Sequence, residues 1–190
     1  MWAIQLLSRY LEGKSLDIVL EHSRYVAELA LEIADRMAVA ADARLFIEEA
    51  ALLHDIGVCQ VNAPELGLYG AHPYIMHGVL GRAILESEGY PLHALVCERH
   101  TGVGLTREDI IRQKLPLPHR EMCPEALSEQ IICFADLFYS KNPGRLGERK
   151  TAIQVKKKLL RFGEEKVAVF EAWLVLFQWS DCSIDEVTVT

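Results

Sequence analysis

The sequence predicts an all-α fold, a single domain in which helices pack as a bundle. Apolar residues recur at intervals of three and four through most of the chain, and we find no convincing strand-like alternation. Glycines and prolines separate these apolar stretches, as expected for helices joined by short connections. The 190 residues, 51% of them hydrophobic, are enough to fill one core. We therefore expect one helical domain over residues 1–190.

The helices can be placed from this periodicity and from the residues that favour helix ends. Ser15, Asp42 and Thr106 are the expected N-caps, and Gly57 is the expected stop of the third helix. The β-prone tail, residues 183–190, is expected to be loose. The predicted helices cover residues 2–11, 16–37, 43–56, 72–89, 92–99, 107–114, 125–140, 147–162 and 164–178.

Two segments are predicted to be irregular. Residues 58–71 contain Pro64, Gly67 and Gly70, which indicates a loop, and loops of this length in compact domains are often functional. Residues 115–124 contain three prolines, which excludes a helix interior or a central strand.

Histidines and aspartates on apolar helix faces are the candidate site. An adjacent histidine and aspartate end the third helix, and imidazole with carboxylate is a donor pair suited to a transition metal. A lone inward histidine is more often a hydrogen-bonded core residue, but a buried unpaired carboxylate is costly, which favours a ligand role for the second aspartate. Metal sites in helical bundles are built from facing helices. The six candidate ligands are His22, His54, Asp55, His77, His100 and Asp136.

This order of residues, H…HD…H…H…D with His54-Asp55-Ile56-Gly57 at its centre, resembles the HD-domain metal-dependent phosphohydrolases. The resemblance covers about residues 15–145 and implies an HD-type helical bundle, followed by C-terminal helices over residues 147–178. It implies that His22, His54, Asp55 and Asp136 hold a first metal, and that Asp55, His77 and His100 hold a second. Many relatives carry a lysine where this chain has Val58, and the segment TGVGLT after His100 lacks the signature of the cyclic-dinucleotide phosphodiesterases.

The resemblance implies hydrolysis of a phosphoester or phosphoanhydride in a small phosphorylated compound, most simply a nucleotide. Metal-bound hydroxide would be the nucleophile, and one or two divalent transition-metal ions, iron or manganese, would be the cofactor. Asp55 and Lys141 are the expected catalytic residues. Acidic ligands alone would repel a phosphate, so cations are expected at the mouth of the site. The candidates for binding phosphate are Lys141, Arg145, Arg24 and Arg99.

Two alternatives from other functional classes remain open. Some proteins similar to the HD fold use the same six ligands to activate oxygen, so a di-iron oxygenase is one of them. The other is a non-catalytic regulatory module that a tightly held metal stabilises. Oxygen uptake without phosphatase activity indicates the first, and bound metal without turnover indicates the second.

Composition limits the partners and the location. A net charge of −7 argues against a nucleic-acid-binding surface. No stretch approaches the roughly 20 apolar residues of a membrane helix, and the N-terminus lacks a signal-peptide pattern. Five scattered cysteines without a CxxC pair favour reduced thiols. We therefore expect a cytoplasmic protein with no nucleic-acid or membrane partner.

The remaining prominent residues have simpler interpretations. His72, His93 and His119 are expected to be solvated or to cap helices. Residues 156–158 are three lysines, and with Arg161 they predict a solvated helix face. Three aromatic residues near the C-terminus predict core packing or a homodimer contact. They are Trp173, Phe177 and Trp179.

Overall fold

The computed structural model describes residues 1–180 and confirms the all-α fold. Nine α-helices account for most of this described part. Short 3₁₀ helices and one antiparallel pair of two-residue strands, β1 (Asn62–Ala63) and β2 (Leu68–Tyr69), lie in the connections. The helices are α1 (Trp2–Tyr10), α2 (Gly13–Arg36), α3 (Ala41–Leu53), α4 (His77–Ser87), α5 (Pro91–Arg99), α6 (Arg107–Arg112), α7 (Leu127–Leu137), α8 (Ala152–Leu159) and α9 (Glu164–Leu176).

The core lies between α2, α3 and α7. Helix α2 packs along α3, and α7 contacts both of them, while α1 lies against α3 and α9 against α7. The buried aliphatic residues of these helices form one continuous cluster. At the α7–α9 contact the rings of Phe134 and Phe170 stack with their centroids 5.3 Å apart. Helix α5 also contacts α3 and α7.

Glycines allow α4 to approach its neighbours closely. A Cβ at Gly78 would lie 2.7 Å from the carbonyl oxygen of Cys97 in α5. A Cβ at Gly57 would collide with the backbone of His77 and Gly81. Because no side chain separates these backbones, the first turn of α4 lies directly beside the segment that follows α3.

Several predicted helix ends are wrong. Ser15 lies inside α2, where its hydroxyl donates to the carbonyl of Glu12. Asp42 also lies inside its helix rather than before it. Gly57 does not stop α3, which ends at Leu53, and instead lies within a 3₁₀ helix, Ile56–Gln60.

Other expectations about local structure have mixed outcomes. Thr106 caps α6 in a capping box with Asp109, as predicted. The loop over residues 58–71 contains the strand pair, which the sequence did not indicate. His93 is not solvated, because its ring packs against Trp2 and Phe46.

The C-terminal region follows the core-packing alternative where the structure describes it. Trp173 and Phe177 are buried in the main core, and Trp179 packs its ring against Phe138 at 5.0 Å. The expected loose tail, residues 183–190, lies outside the described residues. Within residues 1–180 no helix has both the length and the apolar run needed to span a bilayer.

Candidate metal centre

The structure brings all six candidate ligands into one buried cluster. They come from five separate places along the chain: the middle of α2, the residues after α3, the start of α4, the residue after α5 and the last turn of α7. Five of the side chains are almost fully buried, and that of Asp136 is the most exposed of the six, at 17%. The members are His22, His54, Asp55, His77, His100 and Asp136.

Helix ends orient three of the histidines in the same way. In each case ring atom Nδ1 lies next to the carbonyl oxygen three residues earlier: 2.6 Å for His54, 2.7 Å for His77 and 2.8 Å for His100. The last carbonyls of a helical turn lack intrahelical partners, so the ring N–H satisfies one of them. This hydrogen bond assigns the proton to Nδ1 and leaves the Nε2 lone pair facing the cluster, the arrangement of metal-bound histidines.

Asp55 lies at the centre of the cluster, and its two oxygens face different ligands. Oδ2 is 3.0 Å from His54 Nε2 and 3.4 Å from His22 Nε2. Oδ1 is 3.6 Å from His77 Nε2 and 3.5 Å from His100 Nε2. The carboxylate therefore lies between two groups of histidines and could bridge two ions.

Asp136 belongs to the group on the Oδ2 side. Its Oδ1 is 3.0 Å from His22 Nε2 and 3.6 Å from His54 Nε2. The donor atoms of these three residues lie within 4.8 Å of one another, a spacing that one metal ion can join.

The opposite group carries the clearest sign that a cation belongs here. The Nε2 atoms of His77 and His100 are 2.9 Å apart, although the hydrogen bonds at Nδ1 assign the proton to the other nitrogen of each ring. Two lone pairs then face each other with Asp55 Oδ1 beside them. Metal–nitrogen bonds of about 2.0–2.1 Å would place two neighbouring imidazole nitrogens about 3 Å apart on one ion. The donor set fits a divalent transition metal.

Burial keeps two of the histidines neutral. It lowers the pKa of His77 to about 3, with a further contribution from His100, and lowers the pKa of His22 to about 4, with a further contribution from Lys141. Neutral imidazole is the form that binds metal, so both rings are ready to act as ligands at neutral pH.

His54 shows the excess of negative charge in the cluster. Burial disfavours its imidazolium, but Asp55 and Asp136 together outweigh burial and raise the pKa of His54 to about 10. The Asp55 side chain is fully buried, and that of Asp136 is 17% exposed. Two buried carboxylates therefore require positive charge, and a bound cation would supply it while leaving His54 neutral.

Lys141 supplies part of that positive charge. Its ammonium is 2.7 Å from Asp55 Oδ2 and 3.4 Å from His22 Nε2. Burial disfavours the ammonium, but Asp55, Tyr74 and Asp136 raise the pKa of Lys141 above its ordinary value, so it stays charged. The expectation from the sequence placed Lys141 at the site, and the structure places it in contact with the central carboxylate.

Tyr74 also lies at the site, although it was not among the residues predicted from the sequence. Burial raises the pKa of its phenol to about 12, so the hydroxyl stays protonated beside Lys141. Its ring packs on that of His77 with centroids 4.9 Å apart, and its carbonyl accepts the His77 ring proton. The available signal was its position, one helical turn before a candidate ligand at the start of α4.

A cavity of about 530 Å³ opens onto the cluster. Its inner wall includes the ligands His77, His100 and Asp136. The remaining lining combines two lysines and one glutamate with apolar and uncharged polar groups, so the cavity could hold a phosphate and the organic group attached to it. It includes Glu65, Leu66, Tyr74, Leu137, Tyr139, Lys141 and Lys158.

Three arginines expected to bind phosphate do not line this cavity. Arg24 is exposed on α2. Arg145 pairs with Glu148 at 2.9 Å, and Arg99 donates to the Glu129 carboxylate at 3.0 and 3.1 Å. Lys158 lines the cavity instead, although the sequence predicted only a solvated helix face for it.

Comparison with known proteins identifies a matching family and several relatives. The family model described as HD domain matches residues 19–139. An uncharacterized protein of Methanocaldococcus jannaschii is 33% identical over 135 residues, which are 70% of this chain and 71% of that protein.

Two further relatives are named tRNA (cytidine(56)-2'-O)-methyltransferase. The protein from Thermoplasma volcanium is 33% identical over 172 residues, which are 90% of this chain and 45% of the relative. The protein from Picrophilus torridus is 34% identical over 121 residues, which are 63% of this chain and 31% of the relative. The chain thus spans less than half the length of these two curated relatives.

Solved structures with a similar fold include the HD domain of the L. monocytogenes phosphodiesterase PgpH. Its complex with cyclic-di-AMP superposes with a TM-score of 0.53 at 17% identity, covering 98% of this chain and 89% of that one. A second structure of the same domain gives a TM-score of 0.53 at 14% identity, covering 93% and 96%. At these identities the likeness concerns the fold.

Proposed function

The chain belongs to the HD domain family, and from this premise we propose that it is a metal-dependent phosphohydrolase. The proposed reaction is cleavage of a phosphoester or phosphoanhydride in a small phosphorylated compound. A nucleotide is the proposed substrate, since the HD domain of PgpH is described in complex with a nucleotide and the cavity here combines apolar and cationic groups. The proposed cofactor is one or two divalent ions, iron or manganese.

The single observation that carries the proposal is the convergence of five metal-binding side chains on Asp55. The Nε2 atoms of His77 and His100 are 2.9 Å apart beside Oδ1, and His22, His54 and Asp136 gather at Oδ2. Side chains that only filled a core would not place five buried donors around one carboxylate, because the desolvation and repulsion would destabilise the fold.

The residues have separable roles in this proposal. Bound divalent metal would lower the pKa of water to about 7 and place positive charge against the phosphate. Asp55 would join the two ligand groups, and the hydrogen bonds at Nδ1 of His54, His77 and His100 would hold the rings in the ligating tautomer. Lys141 would balance the negative charge of the phosphate, and the Tyr74 hydroxyl would donate a hydrogen bond to it.

The two alternative functions predict different experimental results. A di-iron oxygenase would use the same six ligands, and a regulatory module would hold metal without turnover. The methyltransferase activity named for two relatives refers to proteins more than twice as long as the matched segment, so methyl transfer by this chain is a separate hypothesis. Lys141 and Lys158 line the cavity, and their positive charge favours a phosphorylated substrate over oxygen activation, metal binding without turnover or methyl transfer.

Metal reconstitution followed by a substrate screen tests the proposed function. The purified chain is stripped of metal, loaded with Mn²⁺, Fe²⁺ or Co²⁺ and incubated with nucleotides and dinucleoside polyphosphates. We expect metal-dependent release of phosphate or a nucleoside phosphate. Oxygen uptake without phosphate release would support the oxygenase instead, and stoichiometric metal without turnover would support the regulatory module.

Replacing Lys141 by methionine separates substrate binding from metal binding. The ammonium is 2.7 Å from Asp55 Oδ2 and lines the cavity, so its loss removes positive charge opposite the phosphate. We expect kcat/KM to fall by about 10- to 100-fold. Metal content should be unchanged, because Asp55 loses a competing cation. Steady-state kinetics and metal analysis of the same preparation measure both effects.

Lys157→Met is the matched control for that variant. Lys157 is exposed on α8 and is absent from the cavity lining. The substitution therefore removes one lysine charge, as Lys141→Met does, without altering the site. Its kcat/KM should stay within about threefold of the unchanged protein. If Lys141→Met lost metal in proportion to activity, the ammonium would be a structural support of the ligands and not a substrate contact.

A further inference from the structure

A second cavity adjoins the one that opens onto the ligand cluster. It measures about 310 Å³ and shares four lining residues with the first cavity: Thr101, Gly102, Leu137 and Lys158. The two cavities therefore meet along one boundary, and we call the second one the annex. The annex is separate from the ligands, since none of the six lines it.

The annex is lined mostly by apolar side chains. They come from the 3₁₀ turn before α4, from the loops after α5 and α6, from the end of α7, and from the end of α8 and the connection that follows it. An apolar surface of this kind gains free energy when it covers an apolar group, roughly in proportion to the area removed from water. The apolar lining residues are Ile75, Val103, Leu105, Leu115, Leu137, Leu159 and Phe162.

The polar groups of the annex define which end of a ligand it accepts. Lys166 is bound by the Asp109 carboxylate and by the Gly104 carbonyl at 2.9 Å, so its charge is already matched. Lys158 lies at the boundary with the first cavity and can meet a negative charge there. The annex therefore suits the uncharged end of a molecule whose anionic end lies at the ligand cluster.

The size of the annex limits that uncharged end. An apolar cavity of about 150 Å³ is enough to hold benzene. A volume of about 310 Å³ can accommodate a fused ring system comparable to a nucleobase. Of the four residues at the boundary between the cavities, Gly102 has no side chain and Thr101 has a small one.

We propose that the annex binds the aromatic part of the leaving group, so that the enzyme prefers phosphoesters carrying a fused aromatic ring system. The inference rests on the proposed function and adds the substrate class. The phosphate lies against Lys141 and the ligand cluster, Lys158 lies between the two ends, and the ring system packs among the apolar residues of the annex.

Two aryl phosphates test this preference without changing the chemistry. Phenyl phosphate and 2-naphthyl phosphate have leaving groups of similar acidity and differ by one fused ring. For the metal-loaded protein we expect kcat/KM to be at least about tenfold higher for the naphthyl ester, because the second ring removes apolar surface from water. A ratio near one would overturn the proposal while leaving phosphatase activity intact.

The variant Phe162→Asp tests whether the annex causes the difference in kcat/KM between the naphthyl and phenyl esters. Phe162 is 49% exposed, so the substitution does not open the core, and it places a carboxylate where the second ring would pack. We expect the naphthyl-to-phenyl ratio to fall to about one-tenth of its original value or lower. Leu160→Asp is the control, since Leu160 is 56% exposed nearby and lies outside both cavities. Equal ratios in the two variants would contradict the assignment.

Binding measurements test the annex separately from the proposed hydrolysis reaction. If neither ester is hydrolysed, titration calorimetry of the metal-loaded protein with 2-naphthyl phosphate and phenyl phosphate gives the same comparison. Tighter binding of the naphthyl ester that Phe162→Asp removes and Leu160→Asp retains would support the annex while the proposed reaction fails. Equal affinities for both esters would refute the annex.

Discussion

Asp55→Asn should abolish metal binding and turnover together, with kcat/KM reduced by at least about 10³-fold. Asparagine keeps the shape of the side chain but removes the charge that faces both ligand groups. Its nitrogen would also present two protons toward histidine or lysine where Asp55 now presents an oxygen to His54, His77, His100 or Lys141. Metal analysis after dialysis, followed by kinetics with the best substrate from the screen, measures the loss.

Asp109→Asn is the matched control for that variant. Asp109 is also a buried carboxylate with a lysine partner, Lys166, but it lies outside the ligand cluster. Removing one partner of a buried pair costs about 3–5 kcal/mol, so both variants should unfold at lower temperature. Only Asp55→Asn should lose metal. An Asp55→Asn protein that keeps full metal and full turnover would refute the assignment of Asp55 as a ligand.

Gly57→Ala should be strongly destabilising for so small a substitution. A methyl group at this position would collide with the carbonyl of His77 and the backbone of Gly81, neither of which can rotate away. Helix α4 would have to move, carrying His77 with it. Overpacking of this kind costs typically about 1–3 kcal/mol, and backbone obstruction places the expected loss at the upper end. Chemical denaturation measures the stability.

Metal stoichiometry gives Gly57→Ala a second readout. Displacement of His77 should weaken the group that contains His100, while the group with His22 and Asp136 stays in place. We therefore expect lower metal content and not its complete loss. Gly144→Ala is the control, because a methyl group there meets only one side-chain oxygen at 3.5 Å. Equal stability of Gly57→Ala and Gly144→Ala would contradict the close packing of α4.

The six members of the buried cluster could be identified from the sequence because polar side chains conflict with the apolar helix faces that carry them. A histidine or aspartate on an apolar helix face needs a partner, and Asp136 and His22 both occupy such positions. The all-α fold followed from the same periodicity. Helix ends were less predictable, since Ser15 and Asp42 are residues that favour capping but lie inside helices that begin earlier.

Of the four cations proposed from sequence proximity, Lys141 lies at the cluster and the three arginines do not line the cavity. Neighbouring residues on a helix point about 100° apart, so Arg99 beside His100 and Arg24 near His22 face away from the cluster. Arg99 instead meets Glu129, thirty positions later. Lys158 reaches the cavity because α8 folds back beside it, a tertiary relation that no local pattern contains.

The role of Gly57 also depends on tertiary packing that the sequence pattern does not contain. The sequence identified a glycine after the His54-Asp55 pair and predicted a helix stop. The structure shows that the glycine permits contact with α4, whose position depends on packing far along the chain. Tyr74 was missed for a related reason, since its hydroxyl lies at the site only because the turn before α4 passes over His77.

Anomalous X-ray scattering from crystals of the manganese-loaded chain tests the central claim most directly. We expect strong peaks within the buried cluster, one bounded by His22, His54 and Asp136 and one by His77 and His100, with Asp55 between them. A map with no peak among these side chains, or with its peaks elsewhere on the molecule, would contradict the assignment of a metal centre.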